Sequence, residues 1–198
     1  MYQLPKSVVI DDMEFNIRDD GDFRMVLDCF AALADETLSE DLRVLASLLI
    51  FYNEFSGLRD LLSYDEETVG KLTENMFRFF NCGQDEAPGI KVNHTLIDWQ
   101  KDEHILCAAI NKITTEDIRL IPYVHWWTFM GYYMSVGESV LSTVVGIRDK
   151  IVKHKKLEKW EQEFKKSNPD YFVWHKDTVQ DREAENLIKE LWNQGGEL

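Results

Sequence analysis

A chain of 198 residues with 44% hydrophobic and 12% aromatic residues is long enough for one domain with a substantial core, and its composition excludes intrinsic disorder. Its net charge of −14 and isoelectric point near 4.7 argue against non-specific nucleic-acid binding, whose affinity comes mostly from neutralising phosphates. Apolar runs fall well short of the ~20 residues that span a bilayer, and three scattered cysteines, Cys29, Cys82 and Cys107, fit reduced thiols rather than a disulfide framework.

The first residues lack a charged segment followed by an apolar one, so no signal peptide is expected and the chain should remain in the cytoplasm. Ser7–Ile10 and Met13–Ile17, joined by Asp11-Asp12, read as a β-hairpin. Asp19-Asp20-Gly21-Asp22 is a turn whose last aspartate can cap a helix striped by Phe23, Val26, Leu27, Phe30, Ala31 and Ala34. Ser39 offers a cap for a second helix, with Leu42, Leu45, Ala46, Leu49, Tyr52 and Phe55 as its stripe and an all-apolar middle that should be buried. Ser63-Tyr64-Asp65-Glu66 has the form of a capping box opening a helix with Val69, Leu72, Met76 and Phe79 or Phe80 on one face, closed by Asn81-Cys82-Gly83.

Asp85-Glu86-Ala87-Pro88-Gly89 is a surface loop and the one candidate hinge. A fourth helix is expected over 97–112 with Ile105, Leu106, Ala109 and Ile113 inward. The segment Ile121–Met134 then gathers Trp126, Trp127 and four further aromatics, with Pro122 as a start signal and Thr128 and Gly131 allowing a close neighbour. Read as a helix it is apolar nearly all round, which predicts a central, surrounded element.

Glu138 or Ser139 starts the next helix, carrying Leu141, Val144, Val145 and Arg148 on one face, and the apolar setting of Arg148 suggests a buried or interfacial ion pair. From His154 to Lys166 a thin stripe of Leu157, Trp160 and Phe164 runs along a charged helix that ends at Asn168-Pro169, and a last helix carries Ala184, Leu187, Ile188, Leu191 and Trp192. The whole predicts a mainly α, single-domain bundle of seven or eight helices with a short N-terminal β-hairpin. Residues 1–152 form the core, and 153–198 a helical extension packed on it or projecting from it.

Charge is uneven. Residues 1–120 hold 24 Asp/Glu against 11 Lys/Arg, whereas 148–166 hold eight Lys/Arg against four Asp/Glu. Templates for chemistry are missing: no phosphate-binding glycine loop, no nucleophile elbow, and no histidine pair or cysteine in metal-ligand spacing among His94, His104, His125, His154 and His175. Asp98, Asp102 and Glu103 read as a solvated acidic helix face before a cation site. His125 reads as a hydrogen-bonded core histidine, with acid–base work as the alternative. No enzyme activity, cofactor or metal is expected.

One resemblance adds a function. Leu4–Asp11, Phe15-Asn16-Ile17-Arg18 and Asp22-Phe23-Arg24 resemble the N-terminal signature of the phage gene-product-fifteen family. Ile97-Asp98-Trp99 with Asp102, His125-Trp126-Trp127 with Phe129, and Ile147-Arg148 follow in the same order. The family belongs to long-tailed phages and prophages, with its gene typically between the tail-tube and tape-measure genes. The resemblance therefore implies a tail assembly chaperone in the host bacterial cytoplasm, with the tape-measure and other tail proteins as partners. A structural component retained in the tail is the alternative, and a homo-oligomer is compatible with either. Lys155, Lys156, Lys159, Trp160 and Phe164 are the expected partner face, and His125, Trp126, Trp127 and Phe129 the aromatic core behind it.

Overall fold

The computed structural model describes residues 3–84 and 96–173. Within these, strands β1 (Ser7–Ile10) and β2 (Met13–Asn16) form an antiparallel hairpin in the register Ser7–Asn16, Val8–Phe15, Val9–Glu14 and Ile10–Met13. Eight helices follow among the described residues: α1 (Phe23–Leu33), α2 (Glu40–Phe51), α3 (Leu58–Leu61), α4 (Glu66–Phe80), α5 (Glu103–Ile110), α6 (Trp126–Met134), α7 (Val140–Val152) and α8 (Lys159–Ser167). Two 3₁₀ turns, Arg18–Gly21 and Pro169–Phe172, complete the order. The protein is mainly helical with an N-terminal two-stranded hairpin, and no described helix is long and apolar enough to cross a membrane.

Several boundaries are set by side-chain chemistry. Asp22 caps α1 by accepting the Arg24 N–H at 2.9 Å, and Ser139 caps α7 by accepting the Ser142 N–H at 3.0 Å. The α4 cap is Asp65, which takes the Thr68 N–H at 2.7 Å, so the expected Ser63 box is displaced by two residues: the carboxylate one residue before the helix reaches a free amide of the first turn directly. After α4, Cys82 and Gly83 both take positive φ, and the Gly83 N–H bonds back to the Arg78 carbonyl at 2.8 Å.

Three expectations change. The α2 helix stops at Phe51, and Tyr52 turns extended to pair with Ile17; Ser47, Leu48 and Phe51 are buried, Leu45 and Leu49 of the expected set pack half-buried against the core, Tyr52 and Phe55 are buried beyond the helix end, and Leu42 departs at 42% exposure. α5 begins only at Glu103, because Asp98 folds 98–102 into a turn by accepting the Gln100 and Lys101 N–H groups, and Ile113 lies outside the core at 40% exposure. α6 begins at Trp126 rather than at Pro122. Residues before it are extended, with the Phe23 N–H donating to the Val124 carbonyl and the Val124 N–H to Asp22 Oδ2 at 3.0 Å. This helix is half surrounded: Trp126, Phe129 and Met130 are buried, but Met134 is 73% exposed, and a side chain at Gly131 would meet nothing within 4 Å.

The core is built from rings. Phe23 and Phe129 stack with centroids 4.4 Å apart, Phe30 meets the edges of both Phe80 and Trp126, and Phe51 does the same with Tyr52, Phe79 and Phe80. Each such pair contributes about 0.5–1.5 kcal/mol beyond the burial of its area. The expected hinge at 85–89 and the last helix lie outside the described residues.

Candidate functional site

The sequence placed a partner face at α8. Its local chemistry explains how the helix is held. Glu161 is buried although charged, because one carboxylate oxygen accepts the Lys150 ammonium at 2.6 Å and the other the Glu158 N–H at 2.7 Å. The Lys150 hydrogen bond, helped by that backbone N–H, holds the Glu161 carboxyl below its ordinary range. Leu157 and Phe164 are half-buried, Phe164 packs on the core and meets the edge of Phe172 at 6.3 Å, and Leu157, Glu161 and Phe164 form the inward side.

The predicted five residues are therefore divided between two tasks. Phe164 anchors α8. Trp160 sits on the flank of the helix and is 56% exposed, and Lys155, Lys156 and Lys159 are exposed beside it in sequence. An indole half out of water, with exposed lysines near it in sequence, is the composition of an interface anchor, since tryptophan is among the residues that dominate binding energy when covered.

Beside the 3₁₀ turn that follows α8 lies a buried ionic clamp. Arg148 on α7 forms a two-pronged bond to Asp102, both side chains being 1% exposed; its Nη2 donates to Oδ1 at 2.9 Å and its Nη1 to Oδ2. The same guanidinium reaches the Leu96 carbonyl at 2.9 Å and, through Nε, the Tyr171 carbonyl at 2.8 Å. His104 stacks on Tyr171 with its Nε2 3.2 Å from the tyrosine oxygen. So the ion pair suspected at Arg148 exists, and its partner comes from the acidic trio that was expected to face solvent. Asp102 does not belong to a solvated face, because it accepts this buried guanidinium and the Asp98 N–H. Its inward role was hidden by two acidic neighbours.

The aromatic core residues lie at the junction of α4 and α6. Trp126 is fully buried and donates its indole N–H to the Phe80 carbonyl at 2.9 Å, and half-buried Trp127 does the same to the Phe79 carbonyl at 2.9 Å. These two bonds cap the last turn of α4, whose carbonyls lack partners within the helix. His125 is 1% exposed: Nδ1 accepts the Trp127 N–H at 3.1 Å, which leaves the proton on Nε2, 3.0 Å from the Pro5 carbonyl. Burial pushes its pKa down. Both ring nitrogens are used within the chain, so this imidazole has none to offer a substrate. Among the described residues no group of three or more His, Cys, Asp or Glu is placed to hold a metal ion.

A second feature escaped the sequence reading. Residues 117–124 form a loop pinned from several sides: Arg24 Nη2 donates to the Ile121 carbonyl at 2.7 Å and the Ile118 carbonyl at 3.2 Å, Asn111 accepts the Ile118 N–H, and the Tyr123 hydroxyl donates to the Asp20 carbonyl at 3.0 Å. This rigid loop holds Leu120 76% exposed and forms one bank of an open groove, across from Arg18 and Ile50. Sequence gives no sign of it, because the groove joins stretches about 100 residues apart.

The family model described as Bacteriophage Gp15 protein matches residues 1–172. No curated protein and no solved structure matches the chain. Every described helix and both strands lie inside the matched span, and the chain belongs to the Bacteriophage Gp15 protein family.

Proposed function

We propose that this Gp15-family chain is a tail assembly chaperone that binds the tape-measure protein in the host bacterial cytoplasm, without catalysing a reaction. The observation that carries the reading is Trp160, 56% exposed on the flank of a helix that is held in place by Phe164 and by the Lys150–Glu161 bond. A long helical polymer with apolar stripes aggregates until the tail tube encloses it, and a preformed aromatic anchor covers such a stripe at small ordering cost. The lysines beside Trp160 select acidic flanks on that polymer. The strongly acidic first 120 residues, 24 Asp/Glu against 11 Lys/Arg, keep the complex dispersed.

Co-expression with the tape-measure protein tests this. A soluble complex lost on Trp160→Ala, together with absence of the chain from purified tails, supports it. Stoichiometric presence in finished tails, with no such complex, assigns the chain instead to the structural components of the tail.

A further inference from the structure

The lysines next to Trp160 in sequence differ from those before them. Lys150 is held by Glu161 at 2.6 Å and Lys153 by Asp149 at 2.7 Å, whereas Lys155, Lys156 and Lys159 are exposed and have no ion-pair or hydrogen-bond partner among the described residues. The 56%-exposed indole is therefore set in a stretch rich in unpaired positive charge. The described chain also ends close by: the Pro169–Phe172 turn directly follows α8, Phe172 meets the edge of Phe164 one helical turn beyond Trp160, and Val173 is 67% exposed with its carbonyl accepting Lys101 Nζ at 3.4 Å. The 25 residues that follow, 174–198, lie outside both the described residues and the span matched by the family model. Their sequence is complementary to the Trp160 stretch. Ala184, Leu187, Ile188 and Leu191 fall at i, i+3, i+4 and i+7, and the segment has six Asp/Glu against three Lys/Arg. At 3.6 residues per turn, Asp181 and Glu185 would flank this stripe on one side and Glu183 and Glu190 on the other, while Arg182 and Lys189 would fall opposite it.

We propose that residues 184–192 dock within the same molecule, as an amphipathic helix, over Trp160: the leucine stripe covers the indole and the flanking carboxylates meet Lys155, Lys156 and Lys159. An apolar stripe between two acidic rails fits an exposed indole among unpaired lysines both in hydrophobicity and in charge. Reach is no obstacle, because the ten residues between Val173 and Ala184 extend to about 33 Å, more than twice the ~14 Å length of α8. Tethering to the same chain supplies an effective concentration of about millimolar, so the contact forms at modest intrinsic affinity and adds little to the stability of the fold. The same modest affinity makes it displaceable. A tape-measure helix with an apolar stripe and acidic flanks would compete for the same indole; this competition rests on the chaperone reading, whereas the contact within the chain does not.

Photo-cross-linking of the full chain reads the contact, with benzoylphenylalanine introduced at Glu163, which is exposed and three residues from Trp160 on α8, and the products mapped by mass spectrometry. The proposal expects cross-links to residues 184–192 within one molecule, at a yield independent of protein concentration. Leu187→Glu and Trp160→Ala should each lower that yield by about threefold or more with thermal melting unchanged. Absence of cross-links to 184–192 overturns the proposal, as does a yield that ignores Leu187→Glu. Cross-links to 184–192 that form only between molecules and grow with concentration also overturn it, because the segment on Trp160 then comes from a second copy. Soluble tape-measure segments added to the same reaction should suppress the cross-link. A tape-measure complex that leaves the yield unchanged overturns the competition; failure to form any such complex, with the cross-link intact, bears only on the chaperone reading.

Discussion

Arg148 and Asp102 stand 46 residues apart in sequence and form a two-pronged ion pair from which solvent is excluded, each side chain being 1% exposed. Removing one partner leaves the other charge buried and alone. Arg148→Met should cost about 3–5 kcal/mol of unfolding free energy in urea titration, and replacing both residues with apolar ones should cost clearly less than the sum of the single changes. Equal and additive losses would show that the pair is not the unit described.

Two glycines should respond to alanine with opposite signs. Gly21 has φ +80, and a Cβ there would lie 2.7 Å from Phe79 Cζ and 3.1 Å from His125 Nε2. Gly21→Ala is expected to destabilise by about 1–3 kcal/mol. Gly146 lies in mid-α7 with nothing within 4 Å of an added Cβ, so Gly146→Ala should stabilise by about 0.5–1 kcal/mol. The comparison of melting midpoints checks both at once.

His125 sets a pH dependence. Burial, opposed by the Pro5 carbonyl, holds its pKa below 6.5, so the folded chain binds fewer protons than the unfolded chain in the interval between the two values. Its contribution is complete above 6.5 and is lost as the pH falls through the lower, folded value. His125→Asn keeps an acceptor for the Trp127 N–H but cannot titrate. The stability difference between parent and variant should therefore shrink as the pH drops below 6.5; a difference that stays constant contradicts the assignment.

Trp126 and Trp127 make the same bond in different surroundings, which separates packing from hydrogen bonding. Trp126→Phe strands the Phe80 carbonyl and opens a cavity in the core, and should cost about 2–4 kcal/mol. Trp127→Phe leaves the Phe79 carbonyl its second bond, from the Cys82 N–H at 3.0 Å, and should cost about 1 kcal/mol. Equal losses, read from chemical denaturation, would count against this division.

Local signals were legible from the sequence. The hairpin, the Asp22 and Ser139 caps and the stripe Leu72–Met76–Phe79 all depend on residues within a few positions of one another. Elements apolar on two sides were not. In α2 the period fits Leu42–Leu45–Leu49 as well as Leu48–Phe51, and only tertiary contacts, such as Ser47 Oγ donating to the Cys29 carbonyl at 3.1 Å, decide that Ser47, Leu48 and Phe51 are buried most deeply while Leu45 and Leu49 pack half-buried on the core. Pro122 suits an extended strand as well as a first helical turn, and the α6 boundary falls at His125 because that ring can accept the Trp127 N–H. At the candidate site, Phe164 and Trp160 look alike in a stripe one turn apart. Burial of Glu161 by Lys150 rotates α8 so that one ring is covered and the other is left in water.

The central claim is that Trp160 is a binding anchor rather than part of the fold. The direct measurement is the affinity of the full chain for soluble tape-measure segments, by calorimetry, for the parent protein and Trp160→Ala, beside the unfolding free energy of each. The account predicts a loss of binding of about 2 kcal/mol or more with stability changed by less than about 0.5 kcal/mol. Unchanged binding, or a loss of stability that matches the loss of binding, would contradict it.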